Sequence, residues 1–303
     1  LVELRVSMLR DENYVIAVSG GVDSVALLGM LVNGNLPPTT YHPPSTNLIV
    51  AHFDHGIRNE SADDALFVRD LAAKYNLPFE TRRENLGKNA SEEKARERRY
   101  AFLREVAKKH KATIVTAHHA NDVVETIAIN LTRGTGWRGL AVLDSVDIWR
   151  PLLATSKNEL LTYAKQHNLT WHEDATNEDT KYLRNDLRQK LTHLDVQTRE
   201  LLLLYRNRQV ALKKQIDDES ALLIGNSPYR RHMFISANHH AALEMLRAVF
   251  VREVGQSLTR PQLARALHAV KVYHAGKIFP VSSKIHLTFT KTHFVVDTKD
   301  KMV

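Results

Sequence analysis

The chain has 303 residues, of which 43% are hydrophobic and 25% are charged, so its length and composition are those of a globular protein with two domains. It contains no cysteine, which excludes disulfides, cysteine-based zinc or iron–sulfur sites and any thiolate or persulfide intermediate. A formal net charge of +8 is compatible with a polyanionic partner, although many proteins are basic without having one. The sequence has no run of about 18 apolar residues and no signal-peptide pattern. We therefore expect no membrane partner and a cytoplasmic location.

The first predicted element is a buried strand that ends in a glycine-rich loop. Val15, Ile16 and Val18 form the strand, residues 19–24 read Ser-Gly-Gly-Val-Asp-Ser, and an apolar helix follows. Adjacent glycines allow a ligand to approach the backbone closely, and the helix start offers unpaired N–H groups and a positive dipole end to a phosphate. The residues expected to line a phosphate ligand are Ser19, Gly20, Gly21, Val22 and Ser24.

This loop is not a Walker loop, because it lacks the lysine that G-x-x-x-x-G-K-[ST] requires. Ser-Gly-Gly-x-Asp-Ser instead resembles the PP-loop of the N-type ATP pyrophosphatases, which cleave ATP between the α and β phosphates. The resemblance implies that residues 19–22 and Ser24 line the pyrophosphate of ATP and that Asp23 faces a bound Mg²⁺. The alternative interpretation is an ordinary strand-to-helix turn with a carboxylate in the first helical turn.

The first 150 residues alternate between strand-like and helix-like segments. Further strands are predicted at 48–51, 78–81 and 112–116, and helices at 61–72, 91–110 and 122–131. This alternation predicts an α/β fold, a doubly wound and mostly parallel sheet with helices on both faces. In such sheets ligands bind beyond the carboxyl ends of the strands.

Polar clusters follow two of these strands. The first, residues 52–58, contributes His52, Asp54 and His55 beside the predicted phosphate loop. The second, residues 116–126, contributes four polar candidates, His118, His119, Asp122 and Glu125. Asp122 and Glu125 are three residues apart and share one helix face. A structural role remains the alternative for any single histidine.

Two basic segments come next. Arg133 and Arg138 lie in a loop with three glycines, which is either a flexible connection or a phosphate-binding loop that stabilises developing charge. Arg184 and Arg188 are one helical turn apart and form a basic face that is either solvated or grips a phosphodiester backbone.

The remainder of the chain is predicted to be mostly helical and then strand-like. Ser156 opens a capping box with Glu159, and a long helix follows from about 198 to 224. Helices at 237–254 and 261–270 precede alternating strands at 284–289 and 293–296. We place a domain boundary near residue 210: residues 1–210 form the first domain with the connecting helix at its end, and residues 211–303 form a small α+β domain.

The order of these motifs across residues 13–190 closely resembles the tRNA(Ile)-lysidine synthases. The resemblance includes Arg-Gly-Thr-Gly-Trp-Arg-Gly-Leu at 133–140, Arg-Pro-Leu-Leu at 150–153 and Arg-Asn-Asp-Leu-Arg at 184–188. Asn121 departs from the family, which often has Asp there, so Asn121 itself is not expected to be essential to the chemistry.

The resemblance implies an ATP-dependent carbon–nitrogen ligase with ATP and Mg²⁺ as cofactors. Its partners would be a CAU-anticodon tRNA(Ile) and free L-lysine, and a homodimer is left open. ATP would adenylate O2 of the wobble cytosine and release pyrophosphate, and the lysine ε-amine would then attack C2 and expel AMP. Asp23, Asp122, Glu125 and Arg133 would be catalytic, His52 and Asp54 would join the loop in binding ATP, and His118, His119, Arg138, Arg184 and Arg188 would contact substrate.

Three other functions are weighed against this one. A divalent-metal hydrolase would use one cluster of His52, Asp54 and His55 and a second of His118, His119 and Asp122, but it leaves the phosphate loop unexplained. Other PP-loop amidating enzymes share only the first motif and need an ammonia source that this chain lacks. An RNA-binding protein with a degenerate ATP fold is disfavoured by the intact loop.

Overall fold

The computed structural model of the chain describes residues 13–37, 47–56, 61–87, 91–172, 187, 190–191 and 194–298. The chain divides into two compact units, Leu1–Asn207 and Arg208–Val303. This division lies close to the boundary predicted near residue 210.

The first unit is built on a parallel sheet. Within the described residues its strands are β1 (Asn13–Ala17), β2 (Leu48–Asp54), β3 (Phe79–Arg83), β4 (Ala112–Val115) and β5 (Ile148–Trp149), in the order β3-β2-β1-β4-β5. The predicted α/β class is confirmed. The sequence pattern did not indicate β5, because only Ile148 and Trp149 pair with β4 and two residues are too few for a periodicity.

Helices cover both faces of this sheet. The helices described up to residue 223 are α1 (Val22–Val32), α2 (Ser61–Lys74), α3 (Glu92–His110), α4 (Ala120–Thr132), α5 (Lys157–Gln166) and α6 (Val196–Leu223), with a 3₁₀ turn at Trp137–Leu140. The last of them, α6, continues across the division between the two units. Alternate residues of β1 point to opposite faces: Tyr14 and Ile16 pack with α1, α2 and α5, whereas Val15 packs with α3. The sheet is therefore doubly wound.

The strand order places the phosphate loop beside the second polar cluster. The chain leaves β1 and adds β2 and β3 on one side, then crosses to add β4 and β5 on the other side. The connections after β1 and after β4 consequently diverge at the point where the strand order reverses. This crevice is where open α/β sheets bind ligands.

The second unit is a small α+β domain, as predicted. Its helices are α7 (Arg231–Ser236), α8 (His239–Val254) and α9 (Arg260–Val272). Its described strands, β6 (Tyr229–Arg230), β7 (Ile278–Pro280), β8 (Ile285–Phe289) and β9 (His293–Thr298), form an antiparallel sheet in the order β6-β9-β8-β7. Its core is aromatic and aliphatic and includes Phe234, Phe250 and Phe294. Among the helices described in either unit, none combines the length and apolarity needed to cross a membrane.

Candidate active site

The loop between β1 and α1 is held in shape by its own serines. The buried Ser24 hydroxyl accepts a hydrogen bond from the Ser19 N–H at 3.1 Å and donates one to the Gly21 carbonyl at 2.9 Å. Gly20 has φ of +94°, a conformation that side chains resist, so the first glycine is required by the turn. Ser24 thus supports the loop from within, while Ser19 is exposed at its rim.

Asp23, in the first turn of α1, faces the side chains of Lys157 and His119. Its Oδ1 accepts a hydrogen bond from Lys157 Nζ at 2.6 Å, and its Oδ2 lies 3.6 Å from His119 Nε2. Burial alone would raise the pKa of the Asp23 carboxyl, but the hydrogen bonds and positive charges of His119 and Lys157 outweigh that effect and lower the pKa. Asp23 is therefore an ionised carboxylate at neutral pH.

His119 and Asp122 cap the start of α4. The Asp122 carboxylate accepts the His119 backbone N–H at 2.9 Å, and His119 Nδ1 accepts the Asn121 backbone N–H at 3.3 Å. Because Nδ1 is an acceptor, the neutral ring carries its proton on Nε2. That nitrogen lies 3.6 Å from both Asp23 Oδ2 and Asp122 Oδ2. The structure thus brings together three predicted residues from two different loops.

Lys157 was not singled out by the sequence analysis, which assigned its segment only to a helix cap. It is the first residue of α5, and its backbone N–H donates to Asn121 Oδ1 at 3.2 Å. Asn121 therefore has a structural contact of its own, since it ties the first turn of α4 to the first turn of α5. A signal was present in the sequence: a lysine in the first turn of a helix opposes the helix dipole and calls for another explanation.

His118 lies in the electrostatic field of Asp122 and of three arginines. Burial is the main cause that lowers its pKa to about 3, and the positive charges of Arg150, Arg96 and Arg99 lower it further against a nearby carboxylate. His118 is consequently neutral at physiological pH. It is a hydrogen-bonding group there, with Nδ1 at 2.8 Å from Thr116 Oγ1, and not a cation.

His52 and Asp54 lie at the carboxyl end of β2 and are buried. The Nδ1–H of His52 donates to the Val18 carbonyl at 2.8 Å, and Asp54 Oδ1 accepts the Gly56 N–H at 2.8 Å. His52 therefore fixes the backbone just before the phosphate loop, and Asp54 closes the turn that follows β2. Their predicted contact with ATP stays a prediction.

The metal-hydrolase alternative gains no support from this geometry. In the part of the chain that the structure describes, no group of three or more histidine, aspartate or glutamate side chains is arranged to hold a metal ion. His52 binds the Val18 carbonyl, and Asp54 closes a local turn.

The glycine-rich loop after α4 is tied down by hydrogen bonds. Asn130 Nδ2 donates to the Gly139 carbonyl at 2.8 Å, and Thr135 Oγ1 donates to the Asn130 carbonyl at 2.8 Å. Arg138 stacks on Trp137, with its Cζ 4.7 Å from a ring centroid, and Arg133 is exposed at the end of α4. The loop holds two guanidinium groups in a defined segment of chain.

The remaining predicted site residues fall into two groups. Glu125 is buried on α4, one turn after Asp122. Arg184 and Arg188 lie outside the described residues.

The fold and the site define a nucleotide-binding α/β domain with a Ser-Gly-Gly-Val-Asp-Ser loop at the reversal of strand order. The chain belongs to the PP-loop domain family, whose model matches residues 3–194. Membership in this family implies the use of ATP.

Curated relatives of the chain are named tRNA(Ile)-lysidine synthase. The protein from Exiguobacterium sibiricum is 40% identical over 192 residues, which cover 61% of this chain and 44% of that protein. The protein from Thermotoga maritima is 38% identical over 60% of this chain and 45% of its own length, and that from Geobacter sulfurreducens is 38% identical over 59% and 39%. The match thus spans less than half the length of each of these relatives.

Among solved structures, the chain resembles the U34-tRNA thiolase NcsA from Methanococcus maripaludis. The TM-score is 0.54 at 19% identity, over 67% of this chain and 73% of that chain. At this identity the likeness shows the fold alone.

Proposed function

We propose that this chain carries out the two-step reaction of a tRNA(Ile)-lysidine synthase: ATP adenylates the wobble cytidine of a CAU-anticodon tRNA(Ile), and free L-lysine then replaces AMP. The observation that carries the proposal is the meeting of the phosphate loop with a second carboxylate, since His119 Nε2 lies 3.6 Å from both Asp23 and Asp122. The identity to curated lysidine synthases supports the same reaction.

In the first step, O2 of the cytosine attacks the α-phosphorus of ATP, and the α–β phosphoanhydride bond breaks with its electron pair leaving on pyrophosphate. Asp23 is suited to hold Mg²⁺ together with the phosphates, because its carboxylate is ionised and its side chain is 32% exposed beside the loop. Mg²⁺, when bound, would neutralise phosphate charge. The exposed Arg133 guanidinium is available to stabilise the leaving pyrophosphate.

In the second step, the lysine ε-amine forms a bond to C2, and the C2–O bond to AMP breaks. The amine must first be held as an ammonium ion and then lose a proton. Asp122 and Glu125 share one face of α4 and supply negative charge for that ammonium. The Asp122 carboxylate is the group placed to take up that proton, and His119 Nε2–H, which lies 3.6 Å from both Asp23 and Asp122, orients the two carboxylates.

The tRNA partner is supported by the charge of the chain. A net charge of +8 favours phosphate contacts that weaken with salt. We assign Arg138, Arg184, Arg188 and the second unit to these contacts, with His118 as a neutral contact to substrate. Action on tRNA places the enzyme in the cytoplasm, and a homodimer stays a prediction that size-exclusion chromatography tests.

The decisive experiment supplies ATP, radiolabelled lysine and a CAU-anticodon tRNA(Ile) transcript, and measures label in the tRNA. A transcript whose wobble cytidine is replaced by uridine is the matched control. Label in the first tRNA alone supports the proposal. AMP release without label transfer, or equal labelling of both transcripts, contradicts it.

A substitution at Asp122 tests the lysine site. Asp122→Asn keeps an oxygen that accepts the His119 N–H and so preserves the helix cap, but it removes the negative charge. We expect the KM for lysine to rise about tenfold or more, since a charge-assisted contact contributes roughly 1.5–3 kcal/mol, while the KM for ATP changes little. Equal changes in both constants would remove Asp122 from the lysine site.

A further inference from the structure

The phosphate loop of this chain carries no cation of its own. Between Ser19 and Ser24 the only charged side chain is Asp23, which is negative. Negative charge develops on the leaving group when pyrophosphate departs. In a Walker loop the lysine of the motif itself stabilises the phosphate charge. A PP-loop must therefore obtain its positive charge from elsewhere.

The tertiary structure brings a lysine to this loop from 134 residues away in the chain. Lys157 Nζ lies 2.6 Å from Asp23 Oδ1, at the first turn of the helix that receives the phosphates. Among the described residues, Asp23 forms ion pairs with two side chains, His119 and Lys157. Lys157 is the lysine of the two.

The backbone of Lys157 is firmly fixed, whereas its side chain is not enclosed. Its N–H is bound by Asn121 Oδ1 at 3.2 Å, and the Ser156–Glu159 capping box fixes the start of α5. Leu160, one turn later, is buried in the core shared with α1. The Lys157 side chain is nevertheless 36% exposed, so its ammonium can exchange partners while the helix stays in place.

Two features argue that the ion pair is not there for stability. The side chains of Lys157 and Asp23 are each about one-third exposed, and pairs of this kind contribute about 0–1 kcal/mol. A lysine in the first turn of α5 also opposes the dipole of its own helix. Both features are explained if the position serves a ligand.

We propose that Lys157 is the phosphate-binding cation of this loop: it pairs with Asp23 when no nucleotide is bound and contacts the phosphates that leave as pyrophosphate when ATP occupies the loop. The inference deepens the proposed function and rests on it for the role in adenylation. Its binding part concerns pyrophosphate alone and needs neither tRNA nor lysine.

The test compares three variants, Lys157→Met, Lys157→Arg and the control Lys165→Met, which removes an exposed lysine from the last turn of the same helix. Binding of inorganic pyrophosphate and of AMP is measured by calorimetry without divalent metal. We expect Lys157→Met to weaken pyrophosphate binding about tenfold or more and to leave AMP binding within about twofold, because a charge-assisted contact is lost only for the former. Lys157→Arg should restore most of the loss, and Lys165→Met should bind like the unaltered protein.

Turnover gives the second arm. Pyrophosphate release with tRNA should fall about 100-fold or more in Lys157→Met, with a smaller change in the KM for ATP. Equal weakening of AMP and pyrophosphate, or no weakening of either, overturns the proposal. If the unaltered protein modifies no tRNA but Lys157→Met still loses pyrophosphate selectively, the proposed function fails and the assignment of Lys157 stands.

Discussion

Gly139 lies at the end of the glycine-rich loop that follows α4. Replacing Gly139 by alanine tests whether that loop has one defined conformation. A Cβ on Gly139 would collide with Thr135 Oγ1 and lie 2.6 Å from Thr135 Cβ. The second clash cannot be relieved by rotating the threonine, so the backbone has to move. That movement breaks the bond from Asn130 Nδ2 to the Gly139 carbonyl, which measures 2.8 Å.

The expected cost follows from these contacts. Overpacking costs roughly 1–3 kcal/mol, and a lost hydrogen bond costs about 1 kcal/mol more. We therefore expect Gly139→Ala to lower the free energy of unfolding of the first unit by about 2–4 kcal/mol and to slow AMP release. Gly136→Ala is the matched control, since a Cβ there meets nothing within 4 Å and its φ of −71° suits any residue.

Urea unfolding followed by tryptophan fluorescence measures this change, because the three tryptophans of the chain, Trp137, Trp149 and Trp171, all lie in the first unit. A double-substitution cycle adds Thr135→Gly, which removes both atoms that the new Cβ would meet. In that background Gly139→Ala should cost less than about 1 kcal/mol, since the next contact is an ordinary 3.7 Å to Asn130 Cβ. Equal costs of Gly139→Ala in both backgrounds, or equal effects of Gly136→Ala and Gly139→Ala, would refute the reasoning.

Three further predictions concern the crevice between the two loops. Asp23→Ala should abolish AMP formation and leave tRNA binding in a filter assay nearly unchanged, and full AMP formation would remove Asp23 from the site. Asn121→Asp should stay within about 0.5 kcal/mol of the unaltered stability because a carboxylate can still accept the Lys157 N–H, whereas Asn121→Ala should lose about 1 kcal/mol; the opposite ranking would contradict this contact. His118 has a pKa of about 3 in the folded chain and about 6.5 in the unfolded chain, so only the unfolded chain takes up its proton between these values. The free energy of unfolding therefore decreases as the pH is lowered from about 6.5 to about 3. Urea titrations at pH 7.5 and pH 5 measure the effect. The free energy of unfolding should decrease between these two pH values by up to about 2 kcal/mol less in His118→Gln than in the unaltered protein. Equal decreases in the two proteins would show that His118 is not held neutral.

The sequence by itself determined the fold class and the identity of the phosphate loop. Alternating apolar segments specify strands and helices locally. The phosphate loop can be recognised from six consecutive residues, Ser-Gly-Gly-Val-Asp-Ser, because backbone N–H groups and a helix start are local features. The capping box of Ser156 and Glu159 could also be predicted from the sequence, since it joins residues that are three apart.

Only the tertiary structure decided which side chains meet. His52 binds the Val18 carbonyl, and Lys157 reaches Asp23 across 134 residues, contacts that depend on the order of strands in the sheet and on the packing of α5 against α1. Strand order is fixed by long-range pairing and burial, which leave no periodic trace in the sequence. The phosphate loop could therefore be predicted from its own residues, whereas the position of Lys157 beside it could not.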